Sequence, residues 1–238
     1  MRTYIWTIPT RLFHWLLAVA FTVGYLLGGE EEYLSLHAAL GSLIGGLIIF
    51  RIIQGFTGPK YARFSDFPVS IKSLLSFAGN MKQSKAIHPG HNPLAALIML
   101  GIMITALLSA MSGMMIFAAG ETGFLGFRFN PGVNQESFEG VHEVIVNIFL
   151  VLVGIHLTGI LADTLFHPAN GTIFSIFSGY KKLVAPEAKL NVFNKTFPLF
   201  WFGLPLLLFI YVLRFQPLPT PEKEGLNTEQ TDTDTDED

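Results

Sequence analysis

Five long apolar runs constrain this chain more than any other feature. They fall at about 11–28, 34–56, 93–119, 141–166 and 197–213. Each reaches or approaches the ~20 residues a helix needs to cross a hydrocarbon core of about 30 Å. The runs are too long for membrane strands and show no period-two alternation, so helices are the only spanning structure they fit. Half of the 238 residues are apolar, 14% are charged and the mean hydropathy is +0.48. A disordered chain or an ordinary water-soluble domain does not carry that balance. Cysteine is absent. That excludes disulfides, thiolate iron–sulfur clusters, covalently attached haem and a cysteine nucleophile.

The expected fold is therefore an all-α integral membrane protein, a four-helix transmembrane bundle followed by a fifth C-terminal spanning helix. Several ends are signalled locally. Asn92 and Pro93 read as an N-cap and first-turn proline, Gly28-Gly29 and Gly120 close the first and third runs, and Pro168 stops the fourth. Arg2 and Arg11 precede the first run as they would in a signal peptide. Gly29-Glu30-Glu31-Glu32 follows it without a small-x-small cleavage site, so it reads as a retained anchor. Two shorter stretches, Phe67–Ala78 and Gly171–Tyr180, have the apolar face of helices lying in the headgroup region. Trp6, Trp15, Tyr61, Tyr180 and Trp201 read as an aromatic belt, and Met111, Met114 and Met115 as packing.

Loop charge orients the chain. The 57–92 connection carries Lys60, Arg63, Lys72, Lys82 and Lys85, and 167–196 carries Lys181, Lys182, Lys189 and Lys195. The 29–33 loop has three glutamates, and 120–140 holds only Arg128 as a base. A cytoplasmic N-terminus puts the basic loops inside, as the positive-inside tendency favours. The tail after Phe215 holds eight of the 18 acids and is expected on the outer side, solvated and disordered. By segments, 1–183 reads as the functional membrane domain, 184–214 as linker plus extra helix, and 215–238 as acidic tail. No basic face suggests nucleic acid.

Histidines carry the chemistry. An ionisable side chain within a spanning helix is costly unless compensated, so His14, His37, His142 and His156 are functional candidates. His37 and His142 open their runs at the outer level, while His14 and His156 fall at the inner level. His156 follows His142 by 14 residues, a rise of about 21 Å and nearly four full turns, so both project from one face. Two imidazoles from different helices thus meet at each depth. Zinc or non-haem iron asks for three or four converging ligands, whereas a haem needs only two axial ones. Separately hydrogen-bonded structural histidines are the bland alternative.

Arg51, 14 residues after His37, and Arg11, one turn before His14, could each meet a haem propionate or simply decorate the inner surface. Gly41, one turn after His37, could let a macrocycle approach the backbone, or serve close packing with Gly45. His88, His91 and His167 read as interfacial. His88 or His91 could exchange a proton with a quinone headgroup.

With these residues in view, the chain resembles the prokaryotic cytochrome b561 family, whose broader group includes the b-type cytochrome subunits of nickel–iron hydrogenases. The matching stretches are Pro9-Thr10-Arg11-Leu12-Phe13-His14-Trp15, Leu36-His37-Ala38-Ala39-Leu40-Gly41 and Gly58-Pro59-Lys60-Tyr61-Ala62-Arg63-Phe64-Ser65-Asp66-Phe67. Gly90-His91-Asn92-Pro93, Val141-His142-Glu143 and Gly154-Ile155-His156-Leu157 complete them. The resemblance implies two b haems with His14, His37, His142 and His156 as axial ligands, and electron exchange with the quinone pool. It also implies a periplasmic or enzyme-bound partner, to which the acidic tail adds a c-type cytochrome. The fifth run and the tail lie beyond the family's usual core. The reading is an electron-transfer cytochrome, with quinone-linked oxidoreductase activity left open. Other readings are the membrane anchor of a larger oxidoreductase such as a hydrogenase, superoxide oxidation coupled to quinone reduction, and a haem-free transporter. The last is disfavoured by the lack of buried acids and inverted repeats.

Overall fold

A computed structural model describes residues 2–79, 88–119, 135–166 and 172–215. Gly120, Arg128, Lys82, Lys85, His167, Pro168, Gly171 and the acidic tail lie outside them. Seven helices are described: α1 (Ile8–Leu26), α2 (Leu34–Thr57), α3 (Ile71–Gly79), α4 (Pro93–Ala119), α5 (Gln135–Phe166), α6 (Thr172–Ser178) and α7 (Val192–Phe215). A two-residue antiparallel pair, β1 (Thr3–Tyr4) with β2 (Tyr180–Lys181), is the one departure from an all-helical fold among the described residues.

Four helices are long and apolar enough to cross a membrane: Leu34–Thr57, Pro93–Ala118, Ser137–Phe166 and Val192–Arg214. α1, with Arg11 and His14 in its first two turns, is not among them. The C-terminal run is a helix of 24 residues, despite Pro198 and Pro205 inside it. α5 begins six residues before its apolar run, because the polar Gln135, Glu136 and Glu139 continue the helix without a hydropathy signal. Two other ends match their cues, and those signalled by Gly120 and Pro168 lie outside the described residues. Asn92 Oδ1 accepts the Ala95 N–H at 2.8 Å, and α1 stops at Leu26, just before Gly28-Gly29.

α2 is the hub, packing on α1, α4 and α7, while α4 packs on α5. The end of the bundle where α1 begins is here called inner. Phe13, Leu47, Ile48, Phe50, Ile102, Met103 and Phe149 fill the middle. α7 seats closely on α2: a Cβ at Gly46 would lie 2.7 Å from the Pro205 ring, and Trp201 Nε1 donates to the Gly46 carbonyl at 3.0 Å.

The inner end carries an ordered cap that sequence reading leaves as loops. Trp6 and Tyr61 are 8% and 6% exposed and belong to a buried cluster with Ile5 and Ala188, so neither is a belt residue. Tyr61 sits at φ +70, a conformation costly for a bulky side chain. It is held there by its N–H on Asp66 Oδ2 (2.8 Å) and its hydroxyl on the Pro186 carbonyl (2.7 Å). Gly179 (φ +88) turns α6 into β2, and its carbonyl accepts the N–H groups of Ile5 and Trp6. A Cβ there would meet Tyr4 at 2.7 Å, so only glycine fits. α3 and α6 are helices where expected and expose Ile71, Leu75, Phe174 and Phe177, as headgroup-level helices would.

Candidate functional site

The helix ends set the histidine levels. α2 starts at Leu34, which puts His37 in its first turn; α5 starts at Gln135, which puts His142 two turns in. Both side chains are half-buried at the outer end. Their ring centroids are 6.2 Å apart with planes at 79°.

Hydrogen bonding fixes their tautomers. His37 Nδ1 lies 2.8 Å from the Gly24 carbonyl of α1. A carbonyl can only accept, so Nδ1 carries the proton and Nε2 keeps its lone pair. His142 Nδ1 lies 2.9 Å from Ser112 Oγ, whose hydroxyl proton goes to the Ser109 carbonyl at 3.0 Å. Ser112 therefore accepts from His142, and again Nε2 is the free nitrogen. Metal-bound histidines are held this way, with the far ring nitrogen donating to a backbone or side-chain oxygen.

The spacing agrees with a shared metal. Two imidazoles with nitrogens about 2 Å from one ion place their ring centroids about 6 Å apart. Among the described residues, no group of three or more His, Asp or Glu converges as a metal-ion site. Two ligands per level suit an ion whose remaining ligands come from a macrocycle. Small residues surround the pair: a Cβ at Gly41 would meet nothing within 4 Å, and one at Gly113 would rest 3.5 Å from His142. The donor set and the room beside it fit haem.

At the inner end, His14 and His156 are close enough to interact electrostatically. His14 packs edge-on to Trp15 at 5.1 Å, and its Nδ1 is buried without a hydrogen-bond partner. The outer pair is thus brought ring to ring, while the inner two lie within electrostatic reach of each other, with the apolar middle of the bundle between the levels. Phe21 and Phe149, 4.3 Å apart, bridge α1 to α5 there.

The arginines behave differently from each other. Arg11 Nη1 donates to the Phe177 carbonyl and ties α6 to α1, while its Nε is buried without a partner. Arg51 is 1% exposed with Nη1 unpartnered, so it is not surface decoration. His91 packs into the inner cap. Its ring lies 4.9 Å from both Trp6 and Phe67, and its Nδ1 is buried. Burial, together with Arg51, Lys181 and His156, pushes its pKa down to about 3. One signal could have found it: a histidine directly before an N-capped inner helix end shares the depth of Arg51. His88 and His91 border a pocket of about 260 Å³ walled by Lys60, Tyr61 and Asp66.

Comparison with known proteins gives the family. The prokaryotic cytochrome b561 family matches residues 5–179. The chain is also similar to a probable Ni/Fe-hydrogenase B-type cytochrome subunit of Rhizobium leguminosarum bv. viciae. The two are 27% identical over 190 residues, covering 65% of this chain and 78% of that protein. No solved structure matches. The family match spans α1 to α6 and includes all four paired histidines, and the chain belongs to the prokaryotic cytochrome b561 family, membrane b-type cytochromes that carry haem b and transfer electrons.

Proposed function

We propose that the chain moves single electrons across a bacterial inner membrane through two b haems, one between His37 and His142 and one between His14 and His156. The carrying observation is the outer pair. Its rings stand 6.2 Å apart, and both Nδ1 atoms are engaged, leaving both Nε2 atoms free to ligate. Haem b supplies reversible one-electron chemistry at iron when bound. The protein's residues do the rest. His37 and His142 present lone pairs held in place by Gly24 and Ser112, and Gly41 leaves open space one turn from His37. Leu47, Ile102 and Phe149 pack an apolar core between the levels. On this reading α1 spans the membrane as a fifth helix, the N-terminus is cytoplasmic and the acidic tail periplasmic.

The quinone pool is the proposed partner on one side, with His88 beside the inner pocket as its proton-exchanging contact. The other partner is a periplasmic c-type cytochrome or an oxidoreductase subunit. Similarity to the hydrogenase cytochrome subunit supports the second form, in which this chain anchors a larger enzyme.

Proteoliposomes test the transfer directly. Ferricyanide is sealed inside vesicles, and a quinol analogue is added outside. Vesicles with the haem-loaded protein should reduce the trapped ferricyanide many times faster than protein-free vesicles. Equal rates would overturn the proposal.

A further inference from the structure

The inner end holds more buried positive charge than its described surroundings balance. Arg51 is 1% exposed, its guanidinium carbon 5.5 Å from the Phe64 ring centroid and 5.9 Å from that of Phe67, with Nη1 lacking any hydrogen-bond partner. Phe67 also packs against His91, whose buried Nδ1 is likewise unpartnered. Trp6 lies on the other side of His91 and carries Lys181 Nζ 5.5 Å from its own ring. Lys181 is 7% exposed and donates to the carbonyls of His88 (3.4 Å) and Gly90 (3.1 Å). Three basic side chains from α2, the approach to α4, and β2 therefore share two aromatic partners in one contiguous patch.

The nearby acids are turned to other tasks. Asp66 accepts the Tyr61 N–H and pairs with Arg63 at 3.5 Å. Asp163 acts on Lys181, yet burial still holds that ammonium down to about 8. Ring faces return only a fraction of what it costs to take a guanidinium out of water. A buried cation with an open donor is stable when an anion completes it. The patch adjoins the inner histidines, since His91 interacts electrostatically with His156 as well as with Arg51.

We propose that Arg51 Nη1 and His91 Nδ1 form a carboxylate site at the inner end, filled by a propionate of the inner haem, with Lys181 adding positive field behind them. This rests on the assignment of His14 and His156 as that haem's ligands. A phospholipid phosphate would offer similar chemistry, and the experiment separates the two.

Wild-type protein and the variants Arg51→Gln and Arg51→Lys are purified with haem in maltoside micelles stripped of phospholipid, counted for haem and titrated optically against potential. Losing a buried positive charge beside an ionised propionate favours the ferric state. Arg51→Gln should therefore lower the midpoint of one haem and leave the other unchanged, while Arg51→Lys recovers most of the shift. Loss of one haem from the glutamine variant but not from the lysine variant supports the site equally. Unchanged midpoints with two haems overturn it while leaving the haem assignment intact. Equal haem loss from both variants, or a shift seen only after phospholipid is restored, also overturns it. Wild-type protein without haem fails the underlying assignment instead.

Discussion

Changing His142 to alanine is expected to halve the haem content of the purified protein, from two per chain to one, while the remaining haem keeps its midpoint potential. The expectation follows from the outer pair. His37 and His142 come from different helices, and each is locked by a separate hydrogen bond, to Gly24 and to Ser112. An alanine at 142 leaves no second nitrogen at that level, because no other described His, Asp or Glu joins a cluster there. The inner pair lies beyond the packed middle of the bundle and should not respond. His37→Ala should give the same spectrum as His142→Ala, and His14→Ala or His156→Ala the complementary one. Quantitation as pyridine haemochrome against protein checks this; two haems retained by His142→Ala would remove His142 from the ligand set.

Gly46→Leu is expected to destabilise the seat of α7 on α2 substantially. A Cβ at this position would already sit 2.7 Å from Pro205 Cβ and Cγ, and a leucine adds three more carbons. The Trp201 N–H bond to the Gly46 carbonyl closes the same contact from the other side. Overpacking of this kind costs about 1–3 kcal/mol, and forfeiting the indole bond adds about 1 kcal/mol. The thermal midpoint in detergent should fall by several degrees, with α7 becoming more open to protease. Haem content should change little before unfolding, since α7 contributes none of the four histidines. An unchanged midpoint would mean that α7 contributes little to holding the bundle.

The parts of the architecture that obey a period were legible in the sequence. Apolar run length located α2, α4 and α7, and the 14-residue interval from His142 to His156 put both on one face. Local chemistry found Asn92 as the cap of α4. What escaped depends on contacts between distant segments. Nothing periodic announces that Thr3 pairs with Lys181, or that Trp6 and Tyr61 turn inward rather than lying at the membrane surface. α5 outran its apolar signal because Gln135, Glu136 and Glu139 are polar, and hydropathy does not register a helix made of such residues. Arg51 was found by spacing, but its burial against Phe64 and Phe67 was not, because those rings arrive from a single 3-10 turn in the connection after α2. The packing of His91 escaped for the same reason: its partners come from residues 85 positions before and 24 before it. Tyr61 at positive φ is visible only where Asp66 and Pro186 are seen to hold it.

The central claim is two separate bis-imidazole centres in one chain. A potentiometric titration of the purified protein, followed at the visible α-band, addresses it most directly. The account predicts two one-electron components of comparable amplitude, summing to two haems per polypeptide. A single component at one haem per chain, or a clean preparation with none, would contradict it.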